Sequence, residues 1–153
     1  MRGRVITRRI AFINEKGGSA KTTLVANVAA YLARERGQRV LAIDLDPQGQ
    51  LGKVLGLEPA RAKRSAIDLL VDHALGGPEP DAPGLHAVRD GERPTVRGLP
   101  LVHSHISGLD VIVANKALGL APTLYEPGSD PTGRLDRALQ RAPELRQYDF
   151  ILF

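Results

Sequence analysis

The segment with the clearest potential for chemistry is Asn14-Glu-Lys-Gly-Gly-Ser-Ala-Lys-Thr-Thr23, near the amino terminus. A strict P-loop has one glycine six residues before its lysine and another just before that lysine. Those positions hold Glu15 and Ala20 here, so the strict pattern fails twice. The variant with an extra lysine, KGGxxK[ST], is matched in full by residues 16–22. The segment is therefore a candidate phosphate-binding loop.

The physical reason lies in the backbone. Successive N–H groups of a glycine turn, followed by the positive end of a helix, form a concave site for anions, and Gly17 and Gly18 let the backbone approach phosphate oxygens. In a bound nucleotide, Lys21 is expected to reach the β and γ phosphates, Thr22 to bind Mg²⁺ and Thr23 to contact the α phosphate. The alternative is a Gly-Gly turn that binds no ligand and precedes an ordinary basic helix. The strand before the loop and the helix after it favour phosphate binding. The candidate nucleotide-binding residues are Lys16, Gly17, Gly18, Ser19, Ala20, Lys21, Thr22 and Thr23.

Two carboxylates form the second candidate group. Asp44 and Asp46 follow the apolar run Arg39–Ile43, which we expect to be a strand adjacent to the strand that precedes the loop. The carboxyl ends of parallel strands are where α/β sheets place their ligand chemistry. One carboxylate can hold Mg²⁺ through water while the other orients an attacking water. The alternative, that both cap a turn ahead of Pro47, would be favoured if the phosphate-binding loop were absent.

Composition removes several classes of protein. The 153 residues suit one globular domain, and the absence of cysteine excludes disulfides, thiolate metal sites and a cysteine nucleophile from this sequence. The four histidines lack a metal-binding spacing. We find neither a spanning apolar segment nor a secretory signal, so we expect a cytoplasmic location. Residues 1–64 carry 13 Lys/Arg against 5 Asp/Glu, and residues 65–153 carry 8 against 12, so the basic half suits a polyanionic ligand.

The hydrophobic pattern predicts the elements that position these residues. A strand at Arg9–Ile13, a helix from Lys21 to about Arg36 and the strand Arg39–Ile43 make one βαβ unit, which implies a parallel sheet. Residues 75–108 are rich in proline and glycine and are expected to be an irregular loop, with a hairpin turn at Asp90-Gly91. The remaining expected elements are a helix starting near Ser65 and containing Ile67 to Leu75, a strand at Leu109–Val113, a helix at Gly133–Ala142 and a strand at Gln147–Phe153.

Three motifs, FINEKGGSAKTT, RVLAIDLDPQG and LDVIVANKAL, occur in that order along the chain. Together they resemble the ParA/Soj family of chromosome and plasmid partition ATPases, in the deviant Walker A group that includes MinD. The resemblance implies an α/β fold of the P-loop NTPase type, with a mostly parallel sheet flanked by helices. It also implies Mg²⁺-dependent ATP hydrolysis, an ATP-dependent homodimer, nonspecific DNA and a ParB-like centromere-binding protein as partners, and association with the nucleoid.

The resemblance assigns roles to individual residues. Lys16 would be the signature lysine that reaches across the dimer interface to the partner's phosphates, Asp46 the residue for the hydrolytic water, and Asp44 a residue near the metal. Ala20 stands where the family usually has glycine, which puts a methyl group beside the phosphates. The third motif lacks a proline that is frequent in that strand of the family.

The sequence stops where the family has its Walker B aspartate, directly after a strand like Tyr148–Phe153. We therefore expect residues 1–153 to be the amino-terminal portion of a single ParA-like domain, incomplete at its carboxyl end. An uncovered apolar face and an unpaired strand edge are expected at Gln147–Phe153.

Several functions stay open at this point. The chain can belong to a partition ATPase or a MinD-like ATPase, be a nucleotide-binding piece that does not hydrolyse, or be a nonenzymatic assembly piece. An iron–sulfur carrier is disfavoured because there is no cysteine, and a tyrosine autokinase because Tyr31, Tyr125 and Tyr148 are not clustered.

Overall fold

The computed structural model describes residues 6–70, 99–124 and 133–153. Five strands in these ranges form one sheet: β1 (Arg8–Ile10), β2 (Val40–Ile43), β3 (Val102–His103), β4 (Leu109–Ile112) and β5 (Phe150–Leu152). The α-helices are α1 (Lys21–Arg34), α2 (Gln50–Val54), α3 (Ile67–Leu70) and α4 (Arg134–Gln140). Within the described ranges, 3₁₀ segments lie at Pro59–Arg61, Lys116–Leu124 and Pro143–Gln147. In the described ranges no helix is long and apolar enough to cross a membrane.

The sheet has the strand order β1-β5-β2-β4-β3. All neighbours are parallel except the short outer strand β3, which pairs antiparallel with β4. In the centre, Val40 lies in register with Phe150 on one side and with Leu109 on the other. A mostly parallel α/β sheet flanked by helices is therefore confirmed.

The apolar run at β2 is explained by burial on both faces of the sheet. All four residues of β2 have zero solvent exposure. Leu41 and Ile43 pack into the core on the side of α3 and α4, whereas Val40 and Ala42 pack on the side of α1 and α2. Since neither face meets water, the strand shows no polar alternation.

Two expectations about strand neighbours are wrong. Strand β2 does not lie beside β1, because β5 lies between them and pairs in parallel with both. The crossover from β1 through α1 to β2 leaves one position open in the sheet, and the last strand fills it. For the same reason β5 has no unpaired edge, and Ile151 and Leu152 are fully buried.

The remaining differences concern element ends and short elements. Helix α1 ends at Arg34 rather than Arg36, and α4 is shorter than Gly133–Ala142. The expected strand Gln147–Phe153 is strand only at β5, because residues 143–147 form a 3₁₀ turn. Strand β3 was not expected. The Asp90-Gly91 hairpin and the rest of residues 71–98 lie outside the described residues.

A network of side-chain hydrogen bonds lies at the amino ends of the parallel strands. The hydroxyl of the fully buried Tyr148 donates to Asp110 Oδ2 at 2.6 Å, and Asp110 Oδ1 lies 2.6 Å from His103 Nδ1. The Arg39 guanidinium lies 5.8 Å from the centre of the Tyr148 ring. Burial is the largest factor that raises the pKa of Tyr148, and the hydrogen bond to Asp110 raises it further. The network connects β5, β4 and β3, and Arg39 places the start of β2 next to it.

We predict that Tyr148→Phe lowers the free energy of unfolding by about 1–2 kcal/mol at neutral pH, because it removes this buried hydrogen bond. Folding raises the pKa of Tyr148, so the wild type loses stability above about pH 10, where the unfolded chain releases the proton first. The variant lacks this loss, and its stability deficit should shrink in alkali. Urea unfolding at a series of pH values measures both effects. Tyr31→Phe, at an exposed tyrosine, is the control, and a deficit independent of pH would contradict the assignment.

Candidate phosphate-binding site

The candidate loop connects the carboxyl end of β1 to the start of α1, and most of its residues are exposed. The Lys16 backbone N–H donates to Asn14 Oδ1 at 2.9 Å, which fixes the entry to the loop. Inside the loop, Lys21 Nζ lies 3.4 Å from the Lys16 carbonyl oxygen and 3.4 Å from Ser19 Oγ. The structure thus brings Lys16, Ser19 and Lys21 together around one turn.

The backbone of the loop adopts an unusual conformation on either side of Ser19. Gly18 has φ +70°, and Ala20 has φ 61° and is the only non-glycine residue with positive φ in the described ranges. Ala20 is the N-cap residue of α1 and makes no side-chain cap, and the first helical bond runs from the Leu24 N–H to the Ala20 carbonyl. The preceding N–H groups of the first turn have no intrahelical acceptor and are available to an anion.

The loop also has room for a ligand. A Cβ placed on Gly17 or Gly18 would meet no heavy atom within 4 Å. The glycines are therefore not required by close packing in this structure, and the space beside them is open to a phosphate group. Thr22, in the first turn of α1, is partly buried, and Thr23 is exposed.

The two aspartates organise the turn that follows β2. Asp44 is only 5% exposed, and its two carboxylate oxygens accept the N–H groups of Asp46 at 3.0 Å and Leu51 at 3.1 Å. Burial raises the pKa of Asp44, and the backbone hydrogen bonds from Asp46 and Leu51 oppose that shift. Asp46 is exposed, and its Oδ1 accepts the Gln48 N–H at 2.9 Å. In these contacts both residues cap a turn, and their metal and catalytic roles stay predictions.

Sequence analysis missed the glycine that holds this turn against the sheet. Gly49 has φ +61°, and a Cβ at this position would lie 2.4 Å from the Ala114 carbonyl oxygen, just beyond the end of β4. On the next turn, a Cβ on Gly52 would lie 2.7 Å from Pro59 Cγ. The DPQG sequence contained the signal, since a glycine after such a turn often marks a positive φ, but its neighbour Ala114 is remote in sequence.

The donor set fits Mg²⁺ only together with nucleotide phosphates. Across the parts of the chain that the structure describes, no three His, Asp or Glu side chains are grouped to hold a metal ion. Mg²⁺ in nucleotide sites needs only one or two protein oxygens, because phosphates and waters complete its octahedron. The Thr22 hydroxyl at the start of α1 is suited to supply one of them.

A family profile decides the classification. The profile AAA_31, described as "AAA domain", matches residues 7–153. The chain belongs to the AAA_31 family. The AAA_31 chain is 48% identical to the chromosome-partitioning ATPase Soj of Thermus thermophilus over 83 residues, which are 54% of this chain and 32% of that protein. It is 34% identical to the sporulation initiation inhibitor protein Soj of Bacillus subtilis over 143 residues, covering 94% of this chain and 47% of that protein.

Solved structures agree with this classification. Cobyrinic acid a,c-diamide synthase from Mycobacterium smegmatis, solved with an ATP analogue and magnesium, superposes with a TM-score of 0.72 at 30% identity, covering 96% of the AAA_31 chain and 49% of the synthase. MinD of Pyrococcus horikoshii, complexed with Mg-ADP, superposes with a TM-score of 0.61 at 23% identity, over 96% and 48% of the two chains, and shows the shared fold. The expected likeness to the Soj and MinD group is confirmed. The AAA_31 chain spans at most about half the length of these relatives.

We predict that Gly49→Ala lowers the free energy of unfolding by about 2–4 kcal/mol. This is the sum of the cost of a left-handed backbone conformation at alanine and the cost of an overpacked contact. Gly37→Ala is the matched control, because Gly37 has φ +60° with nothing within 4 Å of its Cβ position. It should cost only about 1 kcal/mol. Chemical denaturation measures both variants, and equal losses would mean that the approach to Ala114 contributes nothing.

Proposed function

We propose that this AAA_31 chain is the nucleotide-binding part of an ATP-hydrolysing partition protein of the ParA/Soj type. The observation that carries the proposal is the loop over residues 16–23, which joins a strand end to a helix start. Its first-turn N–H groups have no intrahelical acceptor, and the space beside Gly17 and Gly18 is open. The likeness to Soj supports the partition role, and the Mg-nucleotide complexes of the synthase and of MinD support ATP and Mg²⁺ as cofactors.

In this proposal the phosphates replace weak contacts within the loop. Both contacts of Lys21 Nζ are 3.4 Å long, at the far end of the hydrogen-bond range, so the ammonium can turn to the β and γ phosphates at little cost. The Thr22 hydroxyl binds Mg²⁺, which neutralises phosphate charge, and Thr23 contacts the α phosphate. The backbone of Gly17, Gly18, Ser19 and Ala20 surrounds the phosphate groups.

Hydrolysis is assigned to Asp46 and Lys16. Within the described part of the chain, the second carboxylate oxygen of Asp46 has no hydrogen bond, and the side chain is exposed, so it can orient a water molecule. Lys16 is exposed and is proposed to reach the phosphates of a second copy, which makes the ATP-bound dimer the hydrolysing form. For Asp44 the family resemblance implies a place near the metal, and its buried carboxylate lies at the start of the turn that carries Asp46.

The proposed partition role also requires partners other than the nucleotide. We propose nonspecific DNA and a ParB-like centromere-binding protein as partners, and a cytoplasmic, nucleoid-associated location. Two alternatives are a MinD-like ATPase and a nucleotide-binding piece that does not hydrolyse. Phosphate release from Mg-ATP distinguishes hydrolysis from binding alone.

We predict that Lys21→Ala weakens Mg-ATP binding by about 1.5–3 kcal/mol, the range for charge-assisted hydrogen bonds. Isothermal titration calorimetry measures the affinity. Arg61→Ala is the charge-matched control, because Arg61 pairs with Glu58 on an exposed 3₁₀ turn, and it should bind ATP as the wild type does. Equal affinities for Lys21→Ala and the wild type would show that the loop is misassigned.

The proposed roles of Lys16 and Asp46 can be distinguished by single substitutions in the full-length protein. Asp46→Ala should preserve ATP binding and dimerisation but stop turnover, because orienting water stabilises the transition state rather than the ground state. Lys16→Ala should suppress ATP-dependent dimerisation and hydrolysis while monomers still bind ATP. Analytical ultracentrifugation with and without ATP, together with phosphate release, measures both. Normal hydrolysis by Asp46→Ala would remove Asp46 from the mechanism.

A further inference from the structure

Asp44 is the one charged side chain that is buried in the described ranges. A buried carboxylate is costly unless its oxygens receive hydrogen bonds. Asp44 receives two, both from backbone N–H groups and one on each oxygen. Its own N–H donates to the Ile112 carbonyl at 2.9 Å, so the residue is also fixed to β4. Asp44 is therefore held by three hydrogen bonds, two on its carboxylate and one on its backbone N–H.

These bonds determine the path of the chain around Asp46. One oxygen of Asp44 holds the Asp46 N–H, and the other holds the Leu51 N–H at the first turn of α2. Between these points Asp46 accepts the Gln48 N–H on its side chain and the Gly49 N–H on its carbonyl. The exposed carboxylate of Asp46 is thus mounted on a turn whose two ends are attached to one buried side chain.

We propose that Asp44 is a positioning residue, whose buried carboxylate sets the backbone of Asp46 and thereby the direction of its exposed side chain. The inference rests on the proposed role of Asp46 in hydrolysis and adds a residue that acts through it. It differs from the metal role that the family resemblance implies, because the groups Asp44 touches here are backbone donors of its own turn. A direct effect on Mg²⁺ is the competing outcome.

The first experiment needs no activity. Amide hydrogen exchange is measured in the nucleotide-free chain for the wild type, Asp44→Ala and Asp44→Asn. The amides of Asp46 and Leu51 should exchange at least ~10-fold faster in Asp44→Ala, and at one of the two sites in Asp44→Asn, which keeps a single acceptor oxygen. Asp68→Asn is the matched control, because Asp68 caps the Ser65 N–H at 2.7 Å in α3, away from this turn. It should leave both amides unchanged.

The second experiment measures hydrolysis in the natural full-length protein. Asp44→Asn should lower kcat by at least ~10-fold, while KM for ATP and the Mg²⁺ concentration at half-maximal rate change less than ~2-fold. If Asp44→Ala does not fold, Asp44→Asn serves for both experiments.

Unchanged exchange at both amides would overturn the inference, and a Mg²⁺ requirement raised ~10-fold in the same variant would then assign Asp44 to the metal. A wild type that does not hydrolyse ATP would overturn the proposed function and, with it, the catalytic part of this inference. The exchange experiment would still decide whether Asp44 fixes the turn.

Discussion

The complete burial of β2 between β5 and β4 is the constraint on which the rest of the structure depends. Because its four side chains face two cores, the strand can only lie at the centre of a parallel sheet with helices on both sides. That placement brings the carboxyl ends of β2 and β4 to the same edge of the sheet. The Asp44 turn, the close approach of Gly49 to Ala114 and the direction of α2 all follow from it.

The amino ends and the carboxyl ends of the parallel strands differ in the groups they present. At the amino ends of the strands, Tyr148, Asp110 and His103 form a network of short hydrogen bonds between side chains. At the carboxyl ends, the loop before α1 has open space beside its glycines and a partly exposed lysine side chain, Lys21, whose two contacts are weak. The open glycines and the weakly bonded lysine at the carboxyl ends support the proposed placement of the nucleotide there.

Local patterns allowed much of this to be predicted from the sequence. The apolar run at Val40–Ile43 marks a strand buried on both faces, and the glycine turn before a periodic helix marks the loop. Strand neighbours were not predictable in the same way, because the place of β5 between β1 and β2 depends on pairing over more than 100 residues. Strand β3 has only two residues and gives no period to recognise. For Asp44, the sequence permitted both a chemical and a capping role, and only the contacts revealed its two backbone donors.

Phosphate groups are proposed to bind the backbone of residues 16–23. Amide chemical-shift mapping by NMR during titration with Mg-ATP tests this binding, because each backbone N–H reports its own environment. We expect the largest shifts at Gly17 to Thr23, smaller ones around Asp46, and none around Tyr148 at the amino ends of the strands. Shifts confined to those amino ends, or no saturable shift in the loop, would contradict the proposal.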